Sequence, residues 1–258
     1  MLRRRVSAVR TPASNGLRAW QVAALEAMRT WHSGTFLISA APGAGKTRPA
    51  IEVARTLLQA KQIDRVVVAC PTTPLTRQWA VAAGQMGLQL VPDAAELRPP
   101  RDFHGVAVTY AKIASVAASW ARQCTGTTLV VADEAHHLGE ELAWGEGFAL
   151  AFRNAARWLL LSGTPFRSDT TPIPGVRYDA EGVAVADISY NYAEAVRDGV
   201  CRPVTFVPYD GTLQWRSGDD IVEASFDDAL VGREAARRYR TAISVELPDG
   251  LPRILAAA

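Results

Sequence analysis

The chain has 258 residues, 48% hydrophobic and 21% charged, with a formal net charge of +2. That profile belongs to a globular protein of one large domain, or one domain and the start of a second. No apolar run approaches the ~20 residues that span a bilayer, and Arg3, Arg4 and Arg5 precede no signal-peptide core, so the expected location is cytoplasmic, with no membrane partner.

Residues 1–14 hold Arg3, Arg4, Arg5 and Arg10, and no acid precedes Glu26. This stretch reads either as a basic arm for phosphate backbones or as a solvated terminus. From residue 17 to 163, short apolar runs alternate with helical patterns. Helices are expected at 18–30, 47–60, 74–84, 111–122 and 147–155, and strands at 35–40, 65–69, 105–109, 128–132 and 158–161. Apolar strands without alternation, each followed by a helix, indicate a parallel sheet covered on both faces. Ligands in such sheets bind at the carboxyl ends of the strands. Five of those ends carry polar or glycine-rich clusters: 40–47, 70–73, 109–110, 133–137 and 162–164.

Beyond Thr164 the texture changes. Residues 165–181 are rich in Pro, Thr, Asp and Gly and read as an excursion. A helix is expected at 192–198, a strand at 203–208, a loop or hairpin at 211–223 and a helix at 225–243. Arg233, Arg237, Arg238 and Arg240 on that last helix read as a solvated face. Cys70, Cys124 and Cys201 are odd in number and far apart, and read as small buried side chains rather than a disulfide or metal framework.

Two clusters carry chemistry. Ala40-Ala41-Pro42-Gly43-Ala44-Gly45-Lys46-Thr47 follows a strand and opens a helix. Its glycines let main-chain N–H groups wrap a phosphate, and the helix start adds partial positive charge. Lys46 would reach the outer phosphates of ATP and the Thr47 hydroxyl would coordinate Mg²⁺. Ala40 stands where the pattern has its first glycine, a position that needs only a small side chain. Asp133-Glu134-Ala135-His136-His137 follows the apolar run Leu129-Val130-Val131-Ala132. Asp133 suits the Mg²⁺ shell and Glu134 suits the base that orients water. The alternative for an acid pair before a helix is a cap.

Together with Ser162-Gly163-Thr164-Pro165, these clusters resemble the superfamily 2 DEAD/DEAH-type helicases and translocases, within them the relatives of repair and restriction motors. Leu17-Arg18-Ala19-Trp20-Gln21 resembles the adenine-reading Q motif, Cys70-Pro71-Thr72-Thr73-Pro74-Leu75 with Gln78-Trp79 resembles motif Ia, and Val108-Thr109-Tyr110-Ala111 resembles motif Ib. The resemblance implies a RecA-like P-loop NTPase fold over residues 15–168. Residues 169–245 would continue toward a second motor domain, and 246–258 would be that domain's first residues. It implies Lys46, Asp133, Glu134 and His136 in catalysis, and Gln21, Pro42, Gly43, Ala44, Gly45, Lys46 and Thr47 around ATP. It further implies Thr72, Thr73, Thr109 and Tyr110 on a nucleic-acid backbone, duplex DNA by preference, with Ser162 and Thr164 coupling the two through His136. Thr72, Thr73 and Thr109 are equally suited to capping helices. The second domain, supplied in cis or in trans, would bring the arginines of phosphoryl transfer; no Gln-x-x-Gly-Arg-x-x-Arg motif occurs in this chain. The competing reading is a non-catalytic nucleotide-binding scaffold made from a truncated motor.

Overall fold

The computed structural model describes residues 16–164, 172–204, 212–217, 220–225 and 228. The chain divides into two compact units, Met1–Arg202 and Pro203–Ala258.

In the first unit the elements run α1 (Ala19–Met28), β1 (Gly34–Ala40), α2 (Thr47–Gln59), β2 (Arg65–Cys70), α3 (Thr73–Gln85), β3 (Leu90–Pro92), β4 (Gly105–Thr109) and α4 (Tyr110–Gln123). They continue with β5 (Thr128–Asp133), α5 (His137–Glu140), α6 (Leu142–Phe152), β6 (Arg157–Ser162), β7 (Ile188–Tyr190) and α7 (Tyr192–Arg197). The seven strands form one sheet in the order β3-β4-β2-β5-β6-β1-β7, and every pairing is parallel.

The strand sequences explain why both faces are covered. Along β2, Val66 and Val68 enter one core while Val67 and Ala69 enter the other. Along β5, Leu129 and Val131 face the first core, Val130 and Ala132 the second. Side chains alternate faces along a strand, so an unbroken apolar run needs an apolar partner layer on each side. Helices α1, α2 and α3 supply the first layer through Met28, Ile51, Leu57 and Trp79. Helices α4 and α6 supply the second through Ile113, Trp120, Phe148 and Phe152.

The contact between α4 and α6 depends on a missing side chain. A Cβ on Gly147 would fall 2.5 Å from Ala114 Cα. This also explains why α6 starts at Leu142, ahead of the expected residue 147. Gly145 and Gly147 lower helix propensity, but the close approach of Gly147 to α4 and of Gly145 to the Leu138 carbonyl rewards the bare backbone and overrides that preference.

Two three-residue strands, β3 and β7, were not expected; three residues carry too little periodicity to stand out. Strand β7 moves the domain edge. The sequence reading closed the domain at residue 168, yet β7 is the seventh strand of the same sheet and the compact unit runs to Arg202. Helix α7 matches the expected helix at 192–198, and Asn191 caps it by accepting from Glu194 N at 2.9 Å.

In the second unit, β8 (Thr212–Ser217) and β9 (Asp220–Ser225) pair as an antiparallel hairpin. Ser225 therefore ends a strand where a helix had been expected to start, and Asp228 lies in a bend; the other residues of that helix, with its arginines, lie outside the described residues, as do 205–208 of the expected strand and the basic arm at 1–14. Among the described residues no helix is long and apolar enough to cross a membrane.

Candidate nucleotide site at the carboxyl edge of the sheet

Register sets the strand ends side by side. Cys70 pairs with Thr109, Ala69 with Ala132, Asp133 with Leu161, Ser39 with Ser162 and Ala40 with Tyr190. Because β6 lies between β1 and β5, the loop after β1, the acids after β5 and the Ser-Gly-Thr turn after β6 share one edge.

The loop after β1 is held from behind by α1. Arg18 Nη1 donates to the Ala44 carbonyl at 2.5 Å and Gln21 Nε2 to the Gly45 carbonyl at 2.9 Å. Gln21 Oε1 in turn accepts from Arg18 N at 2.8 Å. In a trans peptide the C=O and the following N–H point opposite ways. Drawing these two carbonyls toward α1 therefore turns the N–H groups of Gly45 and Lys46 the other way, to the open side of the loop. Gly43 and Gly45 adopt φ +74° and +88°, where glycine alone is at ease. A Cβ on Gly43 would meet nothing within 4 Å, whereas one on Gly45 would strike Arg18 and Gln21 at 2.8 and 3.0 Å. One glycine thus faces open space and the other permits the latch.

Lys46 is 8% exposed; its Nζ donates to the Ala40 carbonyl at 3.1 Å and lies 3.7 Å from Glu134 Oε1. A buried ammonium needs such partners, because desolvating it alone is costly. Thr47 is half-buried at the start of α2.

Asp133 ends β5 at 9% exposure. Trp79 Nε1 donates to its Oδ2 at 2.7 Å and Glu134 N to its Oδ1 at 3.1 Å. Burial raises the carboxyl above its ordinary range; the Trp79 bond opposes this, the Glu134 charge adds to it and Lys46 opposes it. Glu134 itself sits at φ +49°, a left-handed conformation rarely taken by a residue with a side chain. Its Oε2 lies 3.5 Å from His136 Nδ1. His136 Nδ1 is also 3.1 Å from Ser162 Oγ, which accepts from Thr164 N at 3.2 Å. His137 packs against His136 in a tilted arrangement, ring centres 4.4 Å apart and planes at 36°. Gly163 closes the edge, since a Cβ there would come within 3.1 Å of Pro42 Cδ and 3.4 Å of Lys46 Nζ.

Of the expected backbone contacts, Thr72 is exposed and its hydroxyl makes no cap for α3. Thr73 is half-buried, its carbonyl accepting from Thr76 Oγ1 at 2.7 Å. Thr109 caps α4 by accepting from Lys112 N at 3.3 Å. Tyr110 is fully buried and its hydroxyl donates to the Asp133 carbonyl at 2.6 Å, so its side chain packs inside the domain. Cys70 is buried beside the same group, and burial pushes its thiol up to about 12.

Three contributors were not singled out by sequence reasoning: the Arg18 latch, the close approach at Gly163 and the Trp79 bond to Asp133. For Trp79 a signal was present, because an indole on a helix's buried face must find an acceptor for its N–H.

The sheet order, with a glycine-rich loop after β1 and an acid pair after β5 meeting across β6, defines a RecA-like P-loop NTPase domain, the N-terminal motor domain of superfamily 2. The chain belongs to the family described as type III restriction enzyme, res subunit, which matches residues 15–167. It is 43% identical over 250 residues to the "Uncharacterized protein Rv2917" of Mycobacterium tuberculosis, covering 94% of this chain and 41% of that one. To the "Uncharacterized protein ML1624" of Mycobacterium leprae it is 40% identical over 268 residues, covering 100% and 44%. The chain thus spans less than half the length of these relatives. Its fold is similar to that of a nuclease-deletion mutant of the Type ISP restriction-modification enzyme LlaGI, solved in complex with a DNA substrate mimic, with a TM-score of 0.52, 16% identity, and coverage of 72% of this chain and 21% of that one.

Proposed function

We propose that this helicase-type motor half binds ATP with Mg²⁺, and that a second RecA-like domain and a nucleic acid convert that binding into hydrolysis coupled to movement along duplex DNA. The observation that carries the reading is the placement of Lys46 Nζ between the Ala40 carbonyl and Glu134 Oε1, under a loop whose N–H groups are turned outward by Arg18 and Gln21. The residues fit the nucleotide. A Cβ on Gly43 would enter open space, so no side chain stands between a phosphate and the main-chain donors at this helix start.

Pro42, Gly43, Ala44 and Gly45 would surround the phosphates, and Lys46 would exchange its carbonyl partner for a phosphate oxygen. Thr47 and Asp133 would hold the cation, a hydroxyl and one carboxylate being the small donor set Mg²⁺ takes alongside a nucleotide. Bound Mg²⁺ would neutralise charge on the phosphates. Glu134 would orient and deprotonate the attacking water, and His136 with Ser162 and Thr164 would link that event to the nucleic-acid edge. Gln21 keeps one further N–H and one further lone pair for adenine, as any carboxamide bonded once at each end does. Thr72, Thr73 and Thr109 would meet the DNA backbone. Duplex DNA is preferred over RNA because the family is described by a restriction enzyme subunit. A motor of this kind would work in the cytoplasm.

The test is calorimetry with ATP and Mg²⁺ on the parent chain and on Lys46→Ala. Binding by the parent and none by the variant is expected; equal binding by both would remove the assignment.

A further inference from the structure

We propose that Trp79 is a positioning residue for the divalent cation: its indole N–H fixes the rotation of the Asp133 carboxylate, so that helix α3 sets the geometry of the cation site. The inference rests on the nucleotide-binding reading above and gives Trp79, which the resemblance placed in motif Ia without a role of its own, a part in the cation site. Trp79 is 3% exposed in the core beneath the sheet edge, and its Nε1 reaches Asp133 Oδ2 at 2.7 Å. The other oxygen, Oδ1, accepts from Glu134 N at 3.1 Å. A carboxylate with one fixed donor on each oxygen cannot turn about its Cβ–Cγ bond without breaking one of them. One donor is main chain and stays whatever side chain is present; the other depends on Trp79 alone. The main chain of Asp133 is fixed separately, by Tyr110 Oη on its carbonyl at 2.6 Å. Trp79 therefore acts on the carboxylate's orientation, not on where strand β5 ends.

A buried indole also needs an acceptor for its own sake, so the experiment must separate cation geometry from folding. ADP affinity is measured by calorimetry in excess EDTA and in Mg²⁺, on the parent chain, on Trp79→Phe, and on Trp79 replaced by 3-benzothienylalanine, which keeps the ring shape and loses only the N–H. Thermal melts without ligand report folding. The expected result is unchanged ADP affinity in EDTA and a loss of about tenfold in the Mg²⁺-dependent gain, the scale of one hydrogen bond to a charged group, with the benzothienyl chain melting like the parent. A full Mg²⁺-dependent gain in the benzothienyl chain overturns the positioning role and leaves nucleotide binding standing. Equal losses with and without Mg²⁺ overturn it too, because Trp79 would then serve the fold alone. A parent chain that binds no ADP under either condition overturns the nucleotide reading and this inference with it.

Discussion

Lys46 Nζ and Glu134 Oε1 face each other at 3.7 Å, so the cation of the loop after β1 and the candidate base after β5 neutralise one another across strand β6. An incoming phosphate would compete with Glu134 for Lys46. Glu134→Gln removes that competition and the base together. The variant should bind ATP at least as tightly as the parent, while any turnover falls by about 10²–10⁴, the usual worth of a positioned base. Calorimetry and phosphate release measure the two effects; undiminished release in the variant excludes Glu134 as the base.

Gln21 is 4% exposed and bonded to the Gly45 carbonyl, which predicts a loss that ignores the base. Gln21→Ala should weaken ADP and GDP alike, by about fivefold for a net bond of ~1 kcal/mol. Any loss for ADP beyond that for GDP measures the adenine contact. Parallel titrations with the two nucleotides give both numbers, and unchanged affinity for both would show that the bond to Gly45 does not support the loop.

Gly147→Ala tests the helix contact on the other side of the sheet. In a free helix the change would gain up to ~1 kcal/mol of propensity. Here the added methyl would meet Ala114 Cα at 2.5 Å, main chain that cannot rotate aside, and overpacking costs about 1–3 kcal/mol. The clash should win, and the variant should melt several degrees below the parent. A higher melting temperature would mean that α4 and α6 separate easily.

The cysteines give a pH prediction. Burial raises the Cys70 thiol from 9.0 to about 12, so the fold prefers its neutral form. The unfolded chain then releases this proton at lower pH than the folded one, and Cys70 costs no stability below pH 9. Its contribution falls as pH rises through 9 toward 12. At pH 8 iodoacetamide should label half-buried Cys201 in the native chain and leave Cys70 and Cys124, both buried, unmodified until denaturant is added. Mass spectrometry of the peptides reads this directly.

The central strands were legible because they are apolar on both faces: the runs at 65–69 and 128–132 lie inside β2 and β5, each one residue longer. The loop and acid clusters were legible because such chemistry needs particular residues at the end of a strand. What escaped was set by tertiary contact. Tyr110 looks like a backbone contact by its place after Thr109, but its direction is decided by the Asp133 carbonyl, a partner 23 residues away. Trp79 is an ordinary core aromatic until β5 brings an acid to its N–H. Strand β7 is three residues long, and its membership depends on Asp187, whose carboxylate accepts from Leu37 N at 2.7 Å and whose N–H donates to the Leu37 carbonyl at 2.9 Å.

That strand makes the folding unit longer than the span of family similarity. The match to the family model ends at residue 167, yet Ala41 N at the root of the glycine-rich loop donates to the Tyr190 carbonyl at 2.9 Å, and Trp20 stacks on the Tyr190 ring at 5.2 Å. A polypeptide cut at the similarity boundary would leave β1 as a naked edge strand of apolar sequence, an invitation to intermolecular pairing. Aggregation of such a fragment would report a missing strand and say nothing about nucleotide chemistry, so the shortest fragment worth purifying reaches Arg202.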